Sequence, residues 1–196
     1  MTPTIPVTPA RRALNRVLRL SKVNGWSIVV IAGAGTLVSL LLGDLASAGT
    51  GALATGAGVM ELRGRRRLQR RDATGVKLLV RAELFLLAVI AVYAVSRLAS
   101  FDAGYLKEQV IPELKQNLLL FGVNLDELLQ QFEMKVDDIV PLVQRTFYAL
   151  YGGVLLTTIF YQGGLAWWYG RRTDLVEQAL TEPPLVGNRD EGVSAP

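Results

Sequence analysis

From Trp26 to Leu42 the chain runs for 17 residues without a charge, and Gly25 extends the run to 18. That is about the length at which an apolar helix crosses the hydrocarbon core of a bilayer. No other feature limits the fold as strongly. A backbone inside lipid must satisfy its own hydrogen bonds, and a helix does so within one segment. Hydrophobic residues make up 51% of the chain and charged residues 19%, against about 25% charge in an ordinary soluble domain. The apolar excess is concentrated in runs.

Three further runs follow. Leu45 to Met60 is uncharged but rich in Gly, Ala, Ser and Thr. Its Ser47, Gly51, Thr55 and Gly58 form one stripe of small residues, and in the first run Ala32, Gly35, Ser39 and Gly43 form another. Small residues let helix backbones approach closely in lipid. Residues 25–61 are therefore expected to form a helical hairpin turned at Gly43-Asp44, packed through Gly35, Ser39, Gly51, Thr55 and Gly58; a flexible Gly/Ala linker is the alternative. Residues 78–99 form a third apolar run carrying Arg81 and Glu83 near one end, and residues 142–170 form a fourth. In the fourth, Tyr148 and Tyr151 lie toward one end and Trp167, Trp168 and Tyr169 lie at the other. From Tyr148 to Trp168 a helix rises roughly 30 Å, about a bilayer core, so the aromatics suit the two interfaces. The expected fold is all-α: a polytopic membrane protein of four transmembrane helices, with an amphipathic helical segment between spans three and four.

Charge orients these spans. Residues 1–24 hold five Lys or Arg, residues 62–77 hold seven, and residues 171–196 hold three. Residues 100–140 hold three Lys against eight acids. Cationic flanks are retained in the cytoplasm. Four spans then place both termini and the 62–77 loop there, with Arg63, Arg65, Arg66, Arg67, Arg70 and Arg71 as the anchors; Glu61 can pair with Arg65 if the second helix runs on past the membrane. The acidic segment 100–141 falls on the opposite side. The tail, 171–196, is expected to be largely disordered. A less favoured alternative is cleavage after Ala46-Ser47-Ala48, which follows an apolar run as a signal-peptidase site does.

The segment 100–141 carries two helix signals. Pro112 and Gly122 suit the start and end of one helix, and Asn124 with Glu127 suits the start of another. Leu125, Leu128, Leu129, Phe132 and Val136 then form one apolar stripe, a face expected to bind a partner. Together the strings FDAGYLKEQVIPEL, DDIVPLV and FYQGGLAWWYGRR, with the Gly-rich hairpin, resemble multi-pass inner-membrane proteins of bacteria over roughly residues 24–172. The resemblance implies location in the cell inner membrane. It implies no activity, because none is assigned to that group.

The chemistry available is narrow. There is no Cys and no His, so thiolate, disulfide and imidazole chemistry are all closed. No catalytic residue, metal site or cofactor is expected, and the acids Asp126, Glu127, Asp137 and Asp138 read as a solvated helix face. An ionisable residue inside a span invites a functional reading. Glu83 is the candidate, with partners expected among Gln162, Arg171 or Arg63; hydration at the interface is the bland alternative. Thr158 and Gln162 extend a polar row along the fourth span. The expected partners are the lipid bilayer and a second copy or another membrane protein. Nucleic acid is not expected at the basic loop, which lacks stacking residues. The expected function is a scaffold or assembly component, with a small channel or transport subunit using Glu83, Gln162 and Thr158 as the alternative.

Overall fold

A computed structural model describes residues 8–133 and 135–183, excluding the side chains of Val136 and Asp137. Among the described residues all regular structure is helical. Three helices are long and apolar enough to cross a membrane. The chain divides into two units, one formed by residues 8–86 with 163–183 and the other by Leu87–Gln162.

In the first unit, α1 (Pro9–Leu41) opens with Thr8 accepting from the Arg11 amide and Pro9 in the first turn, where a missing N–H costs nothing. The basic N-terminal segment does not form an element of its own. Ala10, Ala13, Val17, Ser21 and Asn24 are buried along one face, so the basic segment and the first span are one helix. Gly43 at φ 76° turns the chain. Asp44 caps α2 (Leu45–Gln69) by accepting from the Ser47 amide.

The α1–α2 hairpin is tight and antiparallel. A Cβ on Gly51 would fall 2.5 Å from Thr36 Oγ1, and one on Gly58 would fall 2.9 Å from Val29 and 3.0 Å from the Gly25 carbonyl. Thr55 faces Gly33. The stripe expected on α1 is corrected. A Cβ on Gly35 would meet nothing within 4 Å, and Gly35 is exposed. The contact face runs instead through Gly25, Val29, Ala32 and Thr36. Ser39 is half-buried, and its carbonyl accepts from the Asp44 amide in the turn.

The basic stretch 62–77, expected as a loop, is mostly helix. Helix α2 continues to Gln69, and α3 (Thr74–Ala99) begins five residues later. Glu61, Gly64 and Leu68 are buried at spacings of three and four. Arg63, Arg66, Arg67, Arg70 and Arg71 are exposed. The two helices close on Gly64 and Gly75: a Cβ on Gly75 would lie 2.6 Å from the Gly64 carbonyl. Arg71 takes a left-handed φ of 61° in the turn. Asp72 starts α3, accepting from the Thr74 amide and hydroxyl at 2.9 and 2.6 Å. Those bonds hold its carboxyl below the usual carboxylate range.

The last turns of α7 (Val136–Gly170) and α8 (Thr173–Thr181) complete this unit. Val17, Leu68, Val76, Leu79, Tyr169 and Val176 form its core, each buried aliphatic contributing about 1.5–3 kcal/mol. Glu182 binds Arg11 Nε at 2.7 Å and accepts from the Thr8 hydroxyl at 3.0 Å, tying the end of α8 to the start of α1.

In the second unit, Asp102 caps α4 (Ala103–Tyr105), which runs through a π-turn at Leu106–Val110 into α5 (Ile111–Leu120). Gly122 takes φ 74°. Asn124 then caps α6 (Leu125–Gln131), its amide donating to Glu127 at 3.0 Å. Lys115 pairs with Asp126 between α5 and α6. The apolar stripe expected to continue from Leu125 to Val136 is broken. Helix α6 ends at Gln131, Glu133 takes a left-handed φ of 55°, and Val136 belongs to α7. Pro141, expected to precede the fourth span, lies inside α7, five residues after its start. So near a helix start, its missing N–H leaves only one carbonyl unpaired. Phe101, Phe147, Tyr148 and Tyr151 pack with ring centroids 4.6–6.2 Å apart.

Candidate functional site: a buried carboxyl pair

Four helices of the first unit each place one polar side chain on a buried stripe. Asn24 comes from α1, Glu61 from α2, Glu83 from α3 and Tyr169 from α7. Glu61 and Tyr169 are 0% exposed, Glu83 is 1% exposed and Asn24 is 7% exposed. The stripes explain the convergence. Val76, Leu79 and Leu86 flank Glu83, and Ala54, Ala57 and Gly64 flank Glu61. Each carboxyl is carried inward by the helical period of its apolar neighbours.

Asn24 Nδ2 donates to both acids, to Glu61 Oε2 at 2.9 Å and to Glu83 Oε1 at 3.0 Å. The Tyr169 hydroxyl donates to Glu61 Oε1 at 3.2 Å. The two carboxyls are thus bridged by one side-chain amide. Glu61 accepts at both oxygens and Glu83 at one. Two acids gathered on one buried amide disfavour the state in which both are ionised. If both were ionised, the two like charges would repel, and more strongly than in water. Among the described residues no Lys or Arg pairs with either acid, and Glu83 Oε2 is buried without a hydrogen-bond partner. No third acid joins them as a metal-holding group there.

The partners differ from those expected. Glu83 accepts from Asn24, and among the described residues it pairs with neither Arg63 nor Arg171, which are exposed. Glu61 does not pair with Arg65, whose Nε donates to the Leu18 carbonyl at 3.2 Å. A surface pairing fails because α2 turns position 61 inward and leaves the arginines outside. Asn24 is not singled out by the sequence, and Tyr169, expected at an interface, is instead buried against Glu61. The available signal was the spacing 54-57-61-64-68, which puts Glu61 on the small-residue face.

Thr158 and Gln162 lie in the second unit. The Thr158 hydroxyl donates to the Val154 carbonyl of its own helix at 2.7 Å. Gln162 is buried, and its Oε1 lacks a partner among the described residues. Of the expected partner face, Leu125 is buried, Leu129 is half-buried, and Leu128 and Phe132 are exposed; the Val136 side chain lies outside the described residues.

The fold and site define an all-helical chain with three helices able to span a membrane and a polar cluster buried in its first unit. No protein-family model, curated protein or solved structure matches it.

Proposed function

We propose that this is a four-span protein of the bacterial inner membrane, with both termini cytoplasmic, that works as a proton-coupled transport subunit through Glu61 and Glu83. The observation that carries the reading is a pair of buried carboxyls bridged by Asn24, without a cationic partner among the described residues. Buried acids that serve only structure are usually paired with a cation or fully hydrogen-bonded. Here Glu83 Oε2 stands open. The pair alternates between one and two protons: with one, Glu61 carries the charge against the Asn24 and Tyr169 donors; with two, it is neutral. Two carboxylates in an apolar setting are the state it avoids.

Four spans are supported by the hairpin. Helix α1 is long and apolar enough to cross, and α2 packs antiparallel along it from Gly58 to Gly51, so α2 occupies the same depth despite its weaker hydropathy. The exposed arginines between α2 and α3 support a cytoplasmic position for that turn.

Reconstitution into vesicles under an imposed pH gradient tests the reading. Wild-type protein dissipates the gradient, or couples it to solute uptake, and Glu83→Gln abolishes this. Equal proton movement in the variant refutes it.

A second reading, an assembly component, draws on the second unit. Leu120, Phe121 and Phe132 are 82%, 83% and 68% exposed, more apolar surface than a solvated segment presents. Photo-crosslinkers at Leu128 and Phe132 should trap a protein; labelling by lipid probes alone removes this reading.

A further inference from the structure

Arg12, Arg16 and Arg19 lie at helical spacing on the exposed side of α1. Two grooves meet along them. One, about 240 Å³, is lined by Arg12, Arg16 and Arg172 together with Pro9, Ala13 and Leu175. The other, about 340 Å³, is lined by Arg16, Arg19, Leu20, Val23 and Trp168. Arg16 lines both. Neither lining contains an acid, and among the described residues none of these arginines has a carboxylate partner.

A second observation concerns Arg172. Its guanidinium lies 4.1 Å from the centroid of the Trp168 ring, and its Nε is buried with no hydrogen-bond partner among the described residues. Stacking fixes the fork in place, and a buried donor without an acceptor is costly. The stacked guanidinium is thereby held at the edge of the first groove.

The two grooves differ in character. The first is cationic; the second runs from Arg19 along Leu20 and Val23 against Trp168, toward the uncharged run that begins at Trp26. We infer that the pair of grooves binds one anionic phospholipid, its phosphate held by Arg12, Arg16 and Arg172 and the start of an acyl chain lying on Val23 and Trp168. Inorganic phosphate shares the headgroup chemistry but leaves the apolar groove unused. Charge and apolar surface meet in the order that an interfacial lipid presents them.

The inference rests on the membrane reading above. The test uses the full chain, purified in mild detergent and examined by native mass spectrometry after addition of phosphatidylglycerol or phosphatidylcholine. Wild-type protein should retain one phosphatidylglycerol selectively, and excess inorganic phosphate should not displace it. Arg16→Ala/Arg19→Ala, both at exposed positions, should retain it roughly thirty-fold less. Lys22→Ala, exposed on the same helix but outside both grooves, should behave as wild type. Equal retention of the two lipids, displacement by inorganic phosphate, or an equal loss with Lys22→Ala overturns the site. Alkaline extraction of the source membranes separates the two readings. Release of the chain from the membrane overturns the spanning reading, whereas a chain that stays in the membrane but shows no selective lipid overturns only the lipid site.

Discussion

Replacing Asn24 with Ala removes a group that bonds to both buried carboxyls. The structure gives it two donations, at 2.9 and 3.0 Å, in a site where Asn24 is 7% exposed. A hydrogen bond between membrane helices contributes about 0.6 kcal/mol on average and about 1.7 at most. Leaving buried acceptors unsatisfied adds about 1–3 kcal/mol. The expected loss is therefore about 2–4 kcal/mol. Part of it belongs to the network rather than to Asn24 alone, and a double-mutant cycle with Glu83→Gln isolates that part. With Gln at 83 the acid pair no longer exists, so Asn24→Ala should then cost less, with a coupling of about 1–2 kcal/mol. The assay is reversible unfolding of the full chain in bicelles, with helicity checked beforehand by circular dichroism. A loss below about 0.5 kcal/mol for Asn24→Ala, or additivity within about 0.5 kcal/mol, would refute the reasoning.

Other outcomes follow from the same geometry. Gly58→Leu should destabilise the hairpin by about 1–3 kcal/mol through overpacking against Val29 and the Gly25 carbonyl, whereas Gly35→Ala, with nothing within 4 Å, should be neutral or stabilising; unfolding measurements on both would show it. Gly75→Ala should damage the α2–α3 turn more than Gly56→Ala, because only the former meets backbone, and protease sensitivity near residue 72 reports it. Neutralising Arg63, Arg66, Arg67, Arg70 and Arg71 together should disturb orientation, read by accessibility of single cysteines placed in the 62–77 stretch, with no change in nucleic-acid retention.

Much of the helical fold was legible because lipid-length apolar runs have few alternatives. The turns at Gly43 and Gly122 and the cap at Asn124 were also legible, since local chemistry dictates them. Helix boundaries were less so. Charge was read as a signal for loop, but arginines on the outer face of α2 leave Gly64 and Leu68 free to pack, and the helix runs on. The break at Glu133 is a left-handed residue that composition does not announce. Glu83 stood out in the sequence as an acid inside a span. Its partners did not, because the meeting of Asn24, Glu61 and Tyr169 is set by the register of four helices far apart in the chain. Glu61 in particular sits four residues before Arg65, and that local pairing concealed its tertiary one.

The central claim is that Glu61 and Glu83 share and exchange a proton. Infrared difference spectroscopy of the reconstituted full chain between mildly acidic and mildly alkaline buffer tests it directly. Wild type should show the carbonyl stretch of a protonated carboxylic acid that shifts in deuterated buffer, that disappears in Glu83→Gln and that changes frequency in Asn24→Ala. A spectrum without such a band, or a band unchanged in Glu83→Gln, would contradict the account.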